Sequence, residues 1–244
     1  MPEPSLIPAS DHSLLIQFGG PISLETHRLV LALFRKLQLE QDLALAPHAG
    51  SSAKILNLHP GYTSLLVTFN PLLLTHEDLI LAVSYLLPKA YADTEQDSAG
   101  RQWEIPVCYG GDLGPDLAEV AEMHGMSEKE VIFLHSRATY RVYFLGFAPG
   151  FPYLGGLPSQ LATPRLETPR KHVAAGSVAI GGEQAGIYPV DSPGGWRIIG
   201  RTPERLFTPE LDQPTLLLPG DIVRFVPISW DKWASLTHRE QAAA

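Results

Sequence analysis

The N-terminal part of the chain shows apolar residues at two spacings, one typical of strands and one typical of helices. Residues 13–18 form a short apolar run and predict a strand. Residues 53–58 and 62–69 predict two further strands on either side of a turn at residues 59–61. These three runs indicate a small sheet.

Two helices are predicted in the same region, one between the strands and one after them. Ser23 is placed to cap the first helix, and apolar residues then recur at helical spacing. Those residues are Leu29, Val30, Leu33, Phe34 and Leu37. Thr75 is placed to cap the second helix, which the pattern carries to about Leu87. The order strand, helix, strand, strand, helix predicts an α+β sandwich with both helices on one sheet face.

The pattern changes in the second half of the chain, where six short apolar runs are separated by Gly and Pro turns. The runs are residues 103–109, 140–144, 172–180, 196–199, 215–218 and 221–226. Two short helices are predicted near its start, at residues 116–124 and after Ser127, where Glu130 completes a capping box. Short strands with tight turns indicate a closed barrel or a sandwich.

These patterns divide the chain into four segments. Residues 1–90 are predicted to form the α+β domain, and residues 102–235 the mainly β domain. Residues 91–101 are predicted as a linker, because the chain is polar and unpatterned there. Residues 236–244 are predicted as a tail.

Charge is distributed unevenly along the 244 residues. The net charge is −8, but residues 1–138 carry −9, whereas residues 139–230 carry +1 and seven arginines. An acidic chain is a poor general binder of nucleic acid, which requires a basic face. The second domain nevertheless offers guanidinium groups to a small anion. The excess of turns, with 21 Gly and 22 Pro in the whole chain, fits short strands.

Several classes of protein and site are excluded or disfavoured by what the sequence lacks. Cys108 is the single cysteine, so no intrachain disulfide and no Cys-based zinc site can form. The chain has no signal-peptide pattern and no apolar run long enough to cross a bilayer, so we expect a cytoplasmic protein without a membrane partner. It has no phosphate-binding loop and no zinc-ligand pattern, so we expect no protein-bound metal, and any nucleotide site must be built differently.

Two Gly- and Pro-rich segments carry the first candidate binding residues. Residues 147–157 place aromatic rings beside glycines, which lets backbone approach a ligand between ring walls. The candidates there are Phe147, Pro149, Gly150, Phe151 and Tyr153. The alternative is a structural corner. Residues 163–171 present Arg165 and Arg170 on a proline-stiffened loop, as candidates for holding a carboxylate or phosphate. The alternative is a solvated basic loop.

Two later segments add further candidates. Residues 175–188 combine small residues with Ser177 and contain the candidates Gly176, Gln184 and Tyr188. The alternative is a tight hairpin that turns at Gly181–Gly182. Residues 188–203 include a Gly pair whose N–H groups could hold an anion. The candidates there are Ser192, Gly194, Gly195, Trp196 and Arg201. The alternative is a structural hairpin with Trp196 in the core. His135 is a candidate for proton transfer, although a lone His is more often structural.

The motifs together resemble the B subunit of the bacterial 5-oxoprolinase complex, a family also described as allophanate hydrolase subunit 1 or Kip-type kinase inhibitors. The matching stretches are residues 59–67, 105–111, 114–117, 143–157, 175–178, 192–196, 200–203 and 219–221. Two positions depart from the family pattern: Ser10 stands where Gly is usual, and Ala174 where Pro is usual. We interpret both as local backbone changes rather than a loss of function.

This resemblance implies a small α+β N-terminal domain followed by a mainly β, cyclophilin-like barrel domain. It implies a homologous C subunit as partner, with which the chain uses ATP and Mg²⁺ to phosphorylate the lactam 5-oxoproline, and an A subunit for ring opening to L-glutamate. In that reaction Arg165, Arg170 and Arg201 are the candidate anion clamps. Ser177 and the Gly194–Gly195 backbone are candidates for binding developing charge.

Two other functions are compatible with the sequence. A non-catalytic inhibitor that docks on a sensor histidine kinase would show no turnover and would present exposed aromatic residues at the barrel rim. A carboxyltransferase-type subunit of urea or allophanate metabolism would need a biotin carrier, and no Met-Lys-Met-type biotin site occurs in the chain.

Overall fold

The structure is a computed structural model that describes residues 3–40, 55–93 and 100–243. The chain separates into two compact units, Met1–Ala99 and Gly100–Ala244. No helix within the described ranges has the length and hydrophobicity needed to span a membrane. The two units are described in turn.

The first unit is a four-stranded antiparallel sheet with two helices packed on one face. Its elements are β1 (Ser5–Ser10), β2 (Ser13–Gln17), α1 (Leu24–Glu40), β3 (Ile55–Pro60), β4 (Ser64–Phe69) and α2 (His76–Asp93). The strand order is β1-β2-β4-β3. Leu65, Val67 and Phe69 alternate along β4 into a core that both helices cover. The α+β arrangement predicted for this region is present.

The helix starts of the first unit follow the sequence signals, because Ser23 and Thr75 accept bonds from the backbone N–H groups of Thr26 (3.1 Å) and Asp78 (3.1 Å). One helix end was predicted wrongly. The helix α2 continues through Pro88 to Asp93 and so overlaps the start of the predicted linker. Its buried face continues past the proline at Ala90, and this burial offsets the lost backbone bond.

Two further differences concern the strands of this unit. The pattern did not predict β1, whose residues are mostly exposed and therefore do not alternate clearly. The strand predicted at residues 53–58 is β3, which extends to Pro60; residues 53 and 54 lie outside the described residues. The rest of the predicted linker, residues 94–99, also lies outside them.

The second unit is a closed barrel of seven strands with helices outside it. Its elements are β5 (Gln102–Tyr109), α3 (Leu117–Met123), α4 (Glu128–Arg137), β6 (Tyr140–Leu145), β7 (Pro152–Gly155), β8 (Arg170–Val173), β9 (Ser177–Gly181), β10 (Gln184–Ile187), β11 (Ser192–Gly194), β12 (Arg197–Arg201), β13 (Ile222–Pro227) and α5 (Trp230–Ala243). The strand order is β10-β7-β6-β13-β5-β12-β9, and β9 pairs back with β10. The strands β8 and β11 form a separate two-stranded ribbon. The barrel fits the cyclophilin-like expectation.

Barrel closure depends on a parallel pairing between β5 and β13. Asp221 lies directly before β13, and its carboxylate bonds to residues at the start of β5 and so stabilises this pairing. The carboxylate accepts bonds from Arg101 Nη2 (2.6 Å), Trp103 Nε1 (3.1 Å) and the backbone of Leu218 (2.8 Å). Because Asp221 is 4% exposed, these donors replace the water that the carboxylate loses on burial.

The second unit confirms one sequence prediction and corrects three others. The capping box of Ser127 and Glu130 is present at the start of α4. The strand predicted at residues 172–180 is divided into β8 and β9 by a turn at Gly176, whose φ is 81°. Residues 215–218 form no strand and only a bridge from Thr215 to Phe207. The helix α5 was not predicted and includes most of the predicted tail.

Candidate functional site

A small cavity beside the barrel is lined by five aromatic side chains, and we call it the aromatic cavity. Its volume is about 150 Å³. The lining residues are Phe147, Phe151, Tyr153, Arg165, Leu166, Pro169, Tyr188, Gly194, Gly195 and Trp196. Eight of these ten are candidates from the sequence, so the structure brings together residues from four separate segments.

The rings of the aromatic cavity form one packed cluster around Phe151. Its centroid lies 5.2 Å from that of Tyr188 and 5.6 Å from that of Trp196, both with near-perpendicular planes. Glycines on the adjacent strands make this packing possible. A Cβ at Gly186 would lie 2.8 Å from the Phe151 ring, and one at Gly181 would overlap the Trp196 ring. The glycines noted in the sequence therefore leave the space into which the aromatic rings pack.

Arg165 is the one cation among the lining residues of the aromatic cavity. Its guanidinium carbon lies 5.5 Å from the centre of the Trp196 ring, which is a cation–π contact. Among the described residues it has no hydrogen-bond or ion-pair acceptor. The planar donor fork of Arg165 is therefore available to a carboxylate or phosphate.

Two tyrosines give the cavity neutral polar groups. Burial raises the pKa of Tyr153 and of Tyr188 above the ordinary value, although Arg165 acts in the opposite direction on both. Both hydroxyl groups therefore remain protonated at neutral pH. The cavity combines apolar walls, one cation and neutral hydroxyl groups.

Phe147 stands at the mouth of the aromatic cavity in a strained conformation. Its φ is 65°, the single positive value outside glycine among the described residues, and 62% of the side chain is exposed. Its ring contacts those of Phe151 (centroids 5.5 Å apart) and Tyr188 (6.3 Å). A bulky residue in the left-handed region is unfavourable by itself, and such strain is concentrated at functional sites.

A second and larger concavity, which we call the Arg201 groove, has a volume of about 540 Å³. The helix α5 and the segments around β12 and Pro189 form its walls. The lining residues are Ala175, Gly176, Pro189, Val190, Asp191, Arg201, Thr202, Pro203, Glu204, Arg205, Phe207, Pro209, Trp233 and Thr237. Gly176 and Arg201 are the two sequence candidates that it contains.

Arg201 is half-buried at this groove. Its Nε donates to the carbonyl oxygen of Ala175 (2.7 Å), and its guanidinium carbon lies 5.8 Å from the centre of the Trp233 ring. Burial lowers the pKa of Arg201 from its ordinary value, and the charge of Asp191 only partly opposes this shift. The two Nη atoms have no acceptor within the described part of the chain.

Sequence comparison places the chain among known proteins. Residues 4–217 match the family described as the carboxyltransferase domain, subdomains C and D. A protein of Escherichia coli O157:H7, named as the B subunit of 5-oxoprolinase, is 49% identical over 217 residues, which is 88% of this chain and 92% of that protein. A protein of the same name from Haemophilus influenzae is 41% identical over 91% of this chain and 97% of that protein. Another from Bacillus subtilis is 42% identical over 90% of this chain and 90% of that protein. The chain belongs to the family of 5-oxoprolinase B subunits.

Two solved structures share the fold of this chain. The crystal structure of TTHA0988 matches with a TM-score of 0.74 and 36% identity over 89% of this chain and 40% of that chain. The urea amidolyase of Kluyveromyces lactis matches with a TM-score of 0.70 and 19% identity over 97% of this chain and 15% of that chain. The match to urea amidolyase, at 19% identity, shows that this chain and part of that enzyme share a fold.

In this member of the family, several candidate residues line neither concavity. Arg170 forms an ion pair with Asp116, so its guanidinium is occupied by a protein carboxylate. Pro149 and Gly150 form a turn next to Phe151. Ser177, which is 4% exposed, and Gln184 lie on β9 and β10. The Oγ of Ser192 is buried and has no partner within the described residues.

In this family member His135 lies on α4 and is buried against the barrel strands rather than at a concavity. It is fully buried, with Nδ1 2.8 Å from the hydroxyl oxygen of Tyr109 and its ring stacked on Phe225 at 4.6 Å. Burial lowers the pKa of His135 to about 3. The side chain is therefore neutral at physiological pH and packs the core, and the structure does not bring it near the residues that line either concavity.

Sequence reasoning missed several residues that shape the two concavities of this family member. They are Leu166, Pro169, Asp191, Arg205 and Trp233. Trp230 and Trp233 stand three residues apart, a spacing that could have indicated one face of a helix. Within the described residues no group of three or more His, Cys, Asp or Glu side chains could hold a metal ion.

Proposed function

We propose that the chain acts as the B subunit of an ATP-dependent 5-oxoprolinase and that its aromatic cavity binds the lactam 5-oxoproline. The observation that carries this proposal is Arg165, a cation without an acceptor among the described residues, at the edge of a small cavity with aromatic walls. The volume of about 150 Å³ lies below the usual range for drug-sized ligands, about 300–1,000 Å³, and so favours a compact molecule. Relatives named as B subunits of 5-oxoprolinase support the choice of lactam.

The chemistry of 5-oxoproline complements the lining of the cavity. The substrate is a five-membered ring with one carboxylate and one amide. Its carboxylate pairs with the Arg165 guanidinium, while the ring carbons contact the faces of Phe151 and Trp196. The amide group bonds to the protonated hydroxyls of Tyr153 and Tyr188 or to the Gly194–Gly195 backbone. Enclosure by rings lowers the local dielectric and strengthens each of these contacts.

The proposed reaction needs activation of the lactam because an amide carbon is a poor electrophile. ATP supplies a phosphoryl group to the lactam oxygen, with ADP as the leaving group. Water then adds at the activated carbon, the carbon–nitrogen bond breaks and the nitrogen takes a proton, which leaves an acyl phosphate. A second water hydrolyses this acyl phosphate to glutamate and inorganic phosphate. The residues of this chain contribute positioning and charge neutralisation, which dominate catalysis of phosphoryl transfer.

ATP does not fit inside the aromatic cavity, and we propose that the nucleotide binds beside it. The Arg201 groove has the size of a nucleotide site and contains two arginines. Mg²⁺ would be carried mainly by the phosphates, as is usual for this ion. A homologous C subunit is proposed to complete the site, and an A subunit to take part in ring opening; the word subunit in the names of the relatives supports such a complex.

A carboxyltransferase-type subunit is the second candidate function. The description of the matched family and the fold shared with urea amidolyase favour it. This function would place a carboxylated biotin, brought by a carrier protein, at the aromatic cavity. The kinase-inhibitor hypothesis predicts binding to a histidine kinase without any turnover.

One experiment separates these functions. The chain is co-expressed with its homologous C and A subunits, and ADP and glutamate are measured with and without ATP and 5-oxoproline. We expect both products only when both substrates are present. A well-folded complex that forms neither product would overturn the proposal. Transfer of a carboxyl group from carboxybiotin by that complex would favour the carboxyltransferase, and inhibition of a kinase by the chain alone would favour the inhibitor.

A further inference from the structure

We infer that the Arg201 groove is a nucleotide site of this chain, in which Arg201 contacts the phosphates and the apolar wall contacts the base. This inference deepens the proposed function and rests on it for the identity of the nucleotide. The geometry of the groove supports it independently, through its size, its mixed lining and the Nη groups of Arg201, which have no acceptor among the described residues.

The size of the groove distinguishes it from the aromatic cavity. At about 540 Å³ it lies within the usual range of ligand sites, whereas the aromatic cavity at about 150 Å³ lies below that range. A compact lactam and a nucleotide therefore have separate places on one chain.

Arg201 is the main reason to expect a bound anion in the groove. Its Nε is fixed by the carbonyl of Ala175, so the guanidinium has a defined orientation. The Trp233 ring contacts the guanidinium, and Trp230 stacks on Trp233 with centroids 5.4 Å apart. Both Nη groups lack an acceptor in the described part of the chain, although the side chain is partly removed from water. A desolvated and unpaired cation is unfavourable, and a bound phosphate would relieve that cost.

The acidic residues of the groove do not neutralise Arg201 at close range. Asp191 is engaged elsewhere, since it accepts bonds from the backbone of Ala175 (2.8 Å) and from His172 Nε2 (3.1 Å). Glu204 lowers the total positive charge of the groove, whereas Arg205 raises it. This mixed charge favours a nucleotide whose phosphates carry Mg²⁺ over a free and more highly charged nucleotide.

The remaining lining residues suit a planar heterocycle. Pro189, Pro203, Phe207 and Pro209 form an apolar wall. The groove also adjoins the aromatic cavity along the chain, because Tyr188 lines the cavity and Pro189 lines the groove. Gly176, another groove residue, donates its N–H to the carbonyl of Tyr188 (2.7 Å). A nucleotide in the groove and a lactam in the cavity would therefore lie on either side of one short backbone segment.

The test measures binding of MgADP and MgATP to the full chain and to its co-expressed complex by calorimetry and by tryptophan fluorescence. Trp233 lies beside Arg201, so we expect a fluorescence change that Trp233→Phe abolishes. Arg201→Met keeps the side-chain length without the charge, and we expect it to weaken MgADP binding at least tenfold. Arg201→Lys restores the charge and should recover part of the affinity.

Arg224→Met is the matched control, because Arg224 is exposed on β13 and lines neither concavity. It should leave nucleotide affinity unchanged, and circular dichroism should show native folding for every variant. Inorganic pyrophosphate should displace MgADP, whereas 5-oxoproline should not.

Three results would overturn the inference: no binding by the chain or the complex, equal affinity in Arg201→Met, or displacement by 5-oxoproline as strong as by pyrophosphate. Equal affinity in Arg201→Met can occur in a complex that still binds ATP and forms glutamate, which would leave the proposed function standing, whereas a complex that binds no nucleotide would contradict both proposals. Arg201-dependent binding in a complex that forms no glutamate would support the nucleotide site and refute the oxoprolinase function.

Discussion

Arg170 and Asp116 form a two-point ion pair, with Nη1 2.9 Å from Oδ2 and Nη2 2.6 Å from Oδ1. Asp116 is 4% exposed, and its Oδ2 also accepts a bond from the backbone N–H of Ile198 (2.6 Å). The pair thus joins the start of α3 to β12 and to the start of β8. Arg170 was a sequence candidate for an anion clamp, but the anion that it holds is part of the protein.

Loss of this ion pair should destabilise the second unit. Arg170→Ala leaves a buried carboxylate with one partner fewer, which costs about 1–3 kcal/mol of unfolding free energy. Urea denaturation followed by circular dichroism measures this change. Lys171→Ala is the matched control, because Lys171 is the adjacent and exposed cation, and its effect should stay within about 0.5 kcal/mol. Equal stability of the two variants would contradict the structural role.

Arg165→Met should weaken recognition of the substrate carboxylate. Charge-assisted hydrogen bonds contribute about 1.5–3 kcal/mol, so we expect KM for 5-oxoproline to rise at least about tenfold with a smaller change in kcat. Initial rates of the complex at saturating ATP measure both constants. The control ligand is 2-pyrrolidinone, the same lactam without a carboxylate. If Arg165→Met lowers activity equally on both lactams, Arg165 does not bind the carboxylate.

Two substitutions at Phe147 separate its backbone strain from its ring. Phe147→Ala removes the ring but keeps a Cβ in the left-handed region, whereas Phe147→Gly removes both. We expect the Gly variant to be more stable than the Ala variant by about 1 kcal/mol, because glycine adopts this region without steric cost. Thermal unfolding measures the difference. Both variants should bind 5-oxoproline more weakly than the native chain, and unchanged affinity would show that the ring does not cover the cavity.

The paired glycines of the aromatic cavity should differ sharply in their tolerance of a methyl group. A Cβ at Gly194 would overlap the Tyr188 hydroxyl oxygen, whereas one at Gly195 would lie 3.5 Å from the nearest atom of Pro169. Gly194→Ala must therefore displace Tyr188, and overpacking of this kind costs about 1–3 kcal/mol. Gly195→Ala should be close to neutral. Unfolding free energies and lactam affinity of both variants check this contrast; equal behaviour would contradict it.

Burial of His135 predicts loss of stability in acid. Its pKa is about 3 in the folded chain and 6.5 in an ordinary setting, so below pH 6.5 the unfolded chain binds a proton that the folded chain excludes. The unfolding free energy should fall as the pH drops from 6.5 towards 3, and this residue contributes about 2 kcal/mol between pH 7 and pH 5. Urea denaturation of the native chain and of His135→Phe at the two pH values measures that contribution.

The control for this experiment is Tyr109→Phe, which removes the hydrogen bond to His135 but keeps the histidine buried. It should lower stability at pH 7 and keep the pH dependence of the native chain. The His135→Phe variant should also retain turnover in the complex, because the side chain packs the core. A folded His135→Phe variant without turnover would restore His135 as a candidate for proton transfer.

Most residues that line the aromatic cavity come from segments that the sequence singles out by their rings and glycines. Rings and glycines stand within a few positions of one another in residues 147–157 and again in residues 188–196, and a ring can pack against backbone only where a side chain is absent. The partner of Arg170 could not be read in this way. Asp116 precedes it by 54 residues, and no local pattern relates the two. The assignment of Arg170 needed the tertiary fold.

The elements that sequence patterns missed have a common physical cause. The strand β1 is mostly exposed, so it lacks the alternation of a half-buried strand. The helix α2 continues through Pro88 because burial beyond the proline outweighs the local preference of the chain. In each case tertiary burial decides the structure, and this burial depends on residues outside the local segment.

The pairing of β5 with β13 has a consequence for how the protein is made. The strands join across about 120 residues, as does the Arg101–Asp221 contact that precedes them. A ribosome must therefore release the whole second unit before the barrel can close, and pairings this distant in sequence slow folding to milliseconds or longer. Until then the edges of β5 and β6 remain open to other chains. Substitutions at Asp221 should consequently lower the yield of native protein during synthesis.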